Sequence, residues 1–383
     1  MFISSNCILR KSLPEDGILN FTELGVKYGH LVEEHEVITE DGYILTIFHI
    51  RGKRRTPVFL LHGLADTADY HADSFLLRGK QSLGITLADA GYDVWVGNLR
   101  GNKYARRHVK LNDTDPEFWN FSFHEAGYYD LPATIDYVLN ATGEKSLKSI
   151  GHSQGTSIHF VLLSLKPEYN EKLKLFIALA PVAFLNNVAP PVSTLTEAGP
   201  LIDEWAKSNG IEELPNEKLP APKFDKLKCG EDLRDHIICM LLTVYYSIFF
   251  DPKTIEPSFF QVLLVHYPGT TSRKTLVHYN QVALRKSFSS FDYGAEENNK
   301  RYSDIVPPDY DLRKVTVKTA LLVGRRDRLA TVKDAALLKT LLPNIVLFHV
   351  MKPQMWNHID FIWRNNMNVH MFPIILKLIE THT

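Results

Sequence analysis

Gly151-His152-Ser153-Gln154-Gly155 is the stretch where residue type and spacing point most directly to chemistry. A serine with a glycine two positions to either side suits a turn so tight that neither flanking position can carry bulk. In such a turn the serine backbone is strained and its hydroxyl projects from the end of a strand. The strand-like Lys148-Ser-Ile150 precedes the pentapeptide and a helical pattern runs from Gly155 to Leu165. Strand, G-x-S-x-G, helix is the setting of a nucleophile elbow, with Gly151 and Gly155 as its two small residues and Ser153 as the nucleophile. The helix that follows points its positive dipole end at the same place.

A serine hydroxyl attacks an acyl carbon only when a base removes its proton, and the base needs an acid to orient it. In this type of site the order along the chain is serine, acid, histidine, each after its own strand. The apolar run Thr319-Ala-Leu-Leu-Val-Gly324 leads into Arg325-Arg-Asp327, which makes Asp327 the candidate acid. Asp304, Asp309 and Asp311 precede that run and would lie at its other end. Val346-Leu-Phe-His-Val350 leads into Asn357-His358-Ile-Asp-Phe-Ile-Trp363, which makes His358 the candidate base. His349, inside the strand, and His370, in the last helix, are expected to be structural. The oxyanion of the tetrahedral intermediate needs backbone N–H donors. Gln154, directly after the nucleophile, supplies one, and Leu64, in the loop after Val58-Phe-Leu-Leu-His62, supplies the other. His62 is expected to support that loop.

The elements that must position these residues alternate between short apolar runs and helical patterns, as in an α/β fold with helices on both faces of a mostly parallel sheet. His35 to Ile50 carries two strand-like runs around a Glu40-Asp-Gly turn, an opening hairpin. Val58–His62, Val94–Gly97, Lys148–Ile150, Leu175–Ala180, Thr319–Gly324 and Val346–Val350 read as strands buried on both faces. Helices are expected over Ser82–Ala90, Asp130–Leu139, Gly155–Leu165 and Val332–Leu342, with one amphipathic helix over Met367–Glu380. The alternation stops between 187 and 309, so this stretch is assigned to an inserted, mainly helical cap. Residues 25–186 and 310–383 then form the hydrolase core, and 1–24 an N-terminal segment.

Composition narrows the class. A formal net charge of -1 over 383 residues offers no basis for binding nucleic acid. The longest uncharged apolar run, Ile237 to Phe250, is 14 residues long, whereas a bilayer span needs about 20. No transmembrane anchor is expected, and this run could form an apolar lid face or a helix packed on the sheet. Of three cysteines, Cys229 and Cys239 are near enough in sequence for a disulfide, and three free thiols are the alternative. Asn20, Asn112, Asn120 and Asn140 head Asn-x-Ser/Thr triplets, candidate glycosylation sites of a secreted chain. Met1 to Lys11 lacks the continuous apolar stretch of a signal peptide, as expected either where the true start lies upstream or where this form stays inside the cell.

With these residues placed, the chain resembles the acid lipase family, the gastric and lysosomal acid lipases and their insect relatives. The resemblance rests on Glu40-Asp-Gly-Tyr-Ile-Leu, His62-Gly-Leu, Leu87-Ala-Asp-Ala-Gly-Tyr-Asp-Val-Trp95 and Gly97-Asn-Leu-Arg-Gly-Asn102. It continues through Phe118-Trp-Asn-Phe-Ser-Phe, Tyr129-Asp-Leu-Pro-Ala-Thr-Ile-Asp136, the serine pentapeptide, Ala178-Leu-Ala-Pro-Val-Ala183 and the two C-terminal loops. It implies an α/β-hydrolase fold, a triad of Ser153, Asp327 and His358, a cap with a movable lid, and no metal or organic cofactor. It further implies a lipase that cleaves esters of neutral lipids, triacylglycerol or cholesteryl ester, at an oil–water or membrane interface. A secreted or lysosomal location and a Cys229–Cys239 cap disulfide follow from the same resemblance. A short-chain carboxylesterase and a non-catalytic lipid-binding or storage protein are the competing expectations. The polar loop Ala65–His71 and the cap depart from the family pattern.

Overall fold

The computed structural model describes residues 14–66, 75–215, 254–352 and 355–382. Its centre is one sheet of nine strands in which the chain's apolar runs lie side by side. In chain order these are β1 (Val32–Ile38), β2 (Tyr43–Ile50), β3 (Arg54–Leu61), β4 (Tyr92–Gly97), β5 (Arg107–His108), β6 (Leu147–His152) and β7 (Leu173–Leu179). A further pair of two-residue strands, β8 (Glu213–Leu214) and β9 (Thr271–Ser272), forms a separate ladder. The main sheet then closes with β10 (Thr319–Val323) and β11 (Ile345–Val350).

The order across the sheet is β1-β2-β4-β3-β6-β7-β10-β11, with β5 beside β2. β1 and β2 pair antiparallel through the expected hairpin, and β2 is antiparallel to β4. From β4 to β11 every pairing is parallel. Every residue of β4 and β6 is buried, as covering both faces requires. β11, at the far edge, is half-buried along its length.

Helices fill the connections. Ser82 caps Leu83–Asp89 and Thr331 caps Val332–Leu341, each through its side-chain oxygen. Three departures from the sequence expectation have physical causes. The helix expected from Asp130 is preceded by continuous helical backbone from Phe123, including a π-helical turn at Ala126–Asp130. There Gly127 lies so close to the helix Gln154–Leu165 that a Cβ would sit 2.7 Å from Val161. The single C-terminal helix is two, Met367–His370 and Phe372–Thr381. Pro373, which lacks an N–H, sits in the first turn of the second. Finally, the 24/25 boundary falls inside a capped helix, Phe21–Lys27, whose Phe21 and Leu24 are fully buried in the main core.

Between β7 and β10 the described residues add no strand to the main sheet. They form the helices Val192–Ser208, Pro257–His266, Arg273–Arg285 and Ala295–Tyr302 and the small β8–β9 ladder. Ile237–Phe250 and all three cysteines lie outside the described residues.

Candidate active site

The turn after β6 holds Ser153 at φ 51° and ψ -117°, a left-handed backbone that a non-glycine residue rarely adopts. The surroundings hold it there. The Ser153 N–H donates to the Leu179 carbonyl of β7 at 3.0 Å. Thr156 Oγ1 donates to the Ser153 carbonyl at 2.6 Å and accepts from the Val182 N–H at 2.8 Å. The reason for the flanking glycines is now measurable. A Cβ on Gly155 would lie 2.5 Å from the Leu61 carbonyl oxygen, and one on Gly151 would lie 3.0 Å from the Gly155 backbone.

His358 and Asp327 reach the same point from the loops after β11 and β10. Ser153 Oγ donates to His358 Nε2 at 2.7 Å, and His358 Nδ1 donates to Asp327 Oδ2 at 2.8 Å. The three groups are 94% or more buried. Asp327 Oδ1 accepts the Leu329 and Ala330 N–H groups at 2.9 and 2.8 Å, so the carboxylate is fixed by its own loop. The flanking Arg325 and Arg326 are exposed, and Arg328 turns away to the Pro190 carbonyl. The imidazole loop is held just as firmly. Asp360 accepts from the Asn357 N–H and from Arg364, and the Arg326 N–H donates to the Trp356 carbonyl. Asp304 and Asp309 are exposed, and Asp311 pairs with Arg313.

On the side of the expected oxyanion donors, Gln154 opens the helix Gln154–Leu165, where backbone N–H groups lack helical partners. Leu64 lies in the turn after β3, next to Gly63, whose Cβ position is 3.1 Å from the Ser153 Cβ. His62 supports this loop, as expected: Nδ1 donates to the Gly63 carbonyl at 2.9 Å. Nε2 accepts from the Leu99 N–H at 3.4 Å and from Asn102 at 3.3 Å. Burial pushes this ring down to about 4, keeping it neutral. His349 is half-buried in β11, and His370 ends the helix Met367–His370 beside Trp356.

Three participants escaped the sequence reading, although each sits in a motif it quotes. His152 is buried next to Ser153 and donates through Nε2 to the His358 carbonyl at 3.0 Å. Burial, with the His358 ring nearby, pushes it down to about 3. Asn98 accepts from the side chain of Asn102, which steadies His62. Arg100 clamps the buried Asp130 and the hairpin residue Asp41 at once. A single sequence marks such residues only as polar side chains beside apolar strands.

Of the glycosylation candidates, Asn112, Asn120 and Asn140 are exposed, whereas Asn20 is half-buried and caps the helix Phe21–Lys27.

Comparison with known proteins agrees with this fold. Residues 56–365 match the alpha/beta hydrolase fold model, and residues 21–74 match the partial alpha/beta-hydrolase lipase region. Lysosomal acid lipase/cholesteryl ester hydrolase of Rattus norvegicus is 35% identical over 95% of this chain and 92% of its own length. The chain belongs to the acid lipase family of α/β-hydrolases. Gastric triacylglycerol lipase of Rattus norvegicus is 36% identical over 90% of this chain and 87% of its own. Lipase 1 of Drosophila melanogaster is 33% identical over 97% and 82%. Among solved structures, a putative lipase from Acinetobacter baumannii covers 100% of the chain and 99% of its own length with a TM-score of 0.52. At 15% identity it shows the fold alone. This acid lipase family member thus shares its sequence across nearly its whole length with relatives of both the lysosomal and the gastric type.

Proposed function

We propose that the protein is a serine lipase that hydrolyses carboxylic esters of neutral lipids, triacylglycerol or cholesteryl ester, with Ser153, His358 and Asp327 as its triad. The observation that carries this reading is the unbroken hydrogen-bond chain from Ser153 Oγ through His358 to Asp327, built from three separate loops of one sheet. The named activities of the family relatives support the ester and the lipid class. Ser153 Oγ attacks the ester carbonyl while His358 Nε2 takes its proton, and Asp327 stabilises the imidazolium. The Gln154 and Leu64 amides hold the oxyanion. The alcohol leaves with the proton from His358. Water, activated by the same imidazole, then releases the fatty acid and restores the serine.

Residues 187–309 are read as a cap over this centre; the expected lid run Ile237–Phe250 and the expected Cys229–Cys239 pair lie outside the described residues. A secreted or lysosomal compartment is consistent with the names of the relatives and with three exposed sequons. Among the described residues no helix is long and apolar enough to cross a membrane.

The test is hydrolysis of emulsified long-chain triglyceride, cholesteryl oleate, phospholipid and a short-chain ester by wild type and Ser153→Ala. A lipase releases fatty acid from the emulsified neutral lipid, and Ser153→Ala does not. Turnover of the short ester alone would make the protein a soluble carboxylesterase. Wild-type protein that neither turns over nor labels with a fluorophosphonate would leave it a lipid-binding protein.

A further inference from the structure

Away from the triad, the β1–β2 hairpin brings two imidazoles and a carboxylate together. Glu33 and His35 are two apart on β1 and share a face, and Glu33 pairs directly with His49 of β2. Glu33 Oε2 lies 3.3 Å from His49 Nδ1 and 3.7 Å from His35 Nε2. The three donor atoms all lie within 4.8 Å of one another. Four ligands about 2.0–2.1 Å from a zinc ion, set tetrahedrally, stand about 3.4 Å apart, so the cluster needs only a small contraction.

The atoms behind the donors are arranged as a metal site requires. His49 Nε2 bonds to Asp93 Oδ1 at 2.8 Å, and Asp93 is itself held by the Trp95 indole and the Gly52 N–H. His35 Nδ1 bonds to the Tyr137 hydroxyl at 3.0 Å. Glu33 Oε1 is taken by Arg51, which leaves Oε2 facing the rings. Each ligand therefore has its outer atom anchored and its inner atom turned into the cluster, where Glu33 Oε2 and His49 Nδ1 meet each other, the carboxylate–histidine–metal pattern. Trp95 stacks on His49 at 3.9 Å and fixes the ring plane.

Without an ion the cluster is poorly satisfied. His35 Nε2 is buried and has no hydrogen-bond partner among the described residues. His49 meets a carboxylate at each ring nitrogen, Glu33 at Nδ1 and Asp93 at Nε2.

We propose that Glu33, His35 and His49 bind one divalent transition-metal ion, with zinc as the best match to two imidazoles and a carboxylate. Water completes the fourth position through the half-exposed Glu33 side. The ion would pin the β1–β2 edge of the sheet to Tyr137 on the helix Leu131–Thr142, leaving the ester chemistry to loops at the other edge and centre. The proposal does not rest on the lipase assignment.

The experiment is calorimetric titration of Zn²⁺ into metal-stripped full-length protein, alongside His35→Gln, Glu33→Gln and, as control, His349→Gln. One equivalent should bind wild type and His349→Gln alike. Affinity should fall at least tenfold in each of the other two, with their ester hydrolysis unchanged. Should those variants misfold, long-range ¹H–¹⁵N spectra of wild-type histidine rings decide the matter, because Zn²⁺ must shift His35 Nε2 and His49 Nδ1. Absence of binding, equal binding by His35→Gln, or ring shifts confined to other histidines would overturn the site. It would leave His49 as a hydrogen-bonding partner of Glu33 and Asp93 alone.

Discussion

At the scale of single residues, the proposed triad can be tested apart from the fold because each member is held by its own loop. Asp327 makes two bonds to local N–H groups with one oxygen and orients His358 with the other. Asp327→Asn keeps the size and most of the local bonding but removes the charge that stabilises the imidazolium. We expect kcat to fall by roughly 10⁴, the scale seen when a triad acid is replaced by its amide, with a nearly unchanged melting temperature. A kcat within tenfold of wild type would mean that Asp327 is not the acid. Gly155→Ala tests the elbow by steric means. Its Cβ would press on two backbone carbonyls, Leu61 at 2.5 Å and His62 at 2.8 Å, neither of which can rotate away. The expected cost is about 1–3 kcal/mol in urea unfolding, together with lost activity as Ser153 and the Gln154 amide move. Unchanged stability would show that the elbow has more room than these contacts indicate.

At the scale of elements, legibility followed how each feature is encoded. The parallel strands could be read because burial on both faces demands continuous apolar runs, as in Val58–Leu61 and Leu175–Leu179. The Ser153 turn could be read because it restricts residue type at fixed spacing, and the meeting of Asp327 and His358 with it followed from which loops succeed which strands. The π-helical turn could not be read, since it arises from close contact between Gly127 and Val161, 34 positions apart, and leaves no periodicity of its own. The Arg100 clamp was hidden for the same reason. Its guanidinium bonds Asp130 at 2.6 and 2.8 Å and Asp41 at 2.6 and 2.9 Å, joining the hairpin turn, the loop after β4 and the π-helical turn. That loop also carries Asn98 and Asn102, which steady His62 and the Gly63 carbonyl beside Ser153. Lysine has no planar fork to serve both carboxylates. Arg100→Lys should therefore cost about 3 kcal/mol or more in chemical denaturation and also lower kcat. A loss of stability with kcat untouched would separate the clamp from the oxyanion loop.

At the scale of the whole molecule, the buried histidines set the pH at which the fold is safest. His62 and His159 are pushed down to about 4, and His152 and His278 to about 3, in each case chiefly by burial. Each is tied into the interior as a neutral ring. His159 lies between Ser149 and the Gly155 carbonyl, stacked on Phe176. His278 lies between Ser122 and the Ser289 carbonyl, stacked on Phe123. The unfolded chain protonates these rings near 6.5, the folded chain only well below that. Their contribution to stability is therefore complete above about pH 6.5 and is lost progressively as pH falls toward 4. The loss approaches at most about 1.4 kcal/mol per histidine for each pH unit. Urea midpoints of Ser153→Ala should thus stay nearly level from pH 7.5 to about 6.5 and fall steadily from there to pH 4.5, and His278→Gln, with one such ring removed, should fall less steeply. A flat profile to pH 4.5 would mean that these rings accept protons inside the fold. An enzyme working in an acidic compartment with this interior must carry enough stability at neutral pH to absorb the loss. The same titration therefore measures whether this chain is suited to the lysosomal setting of its relatives.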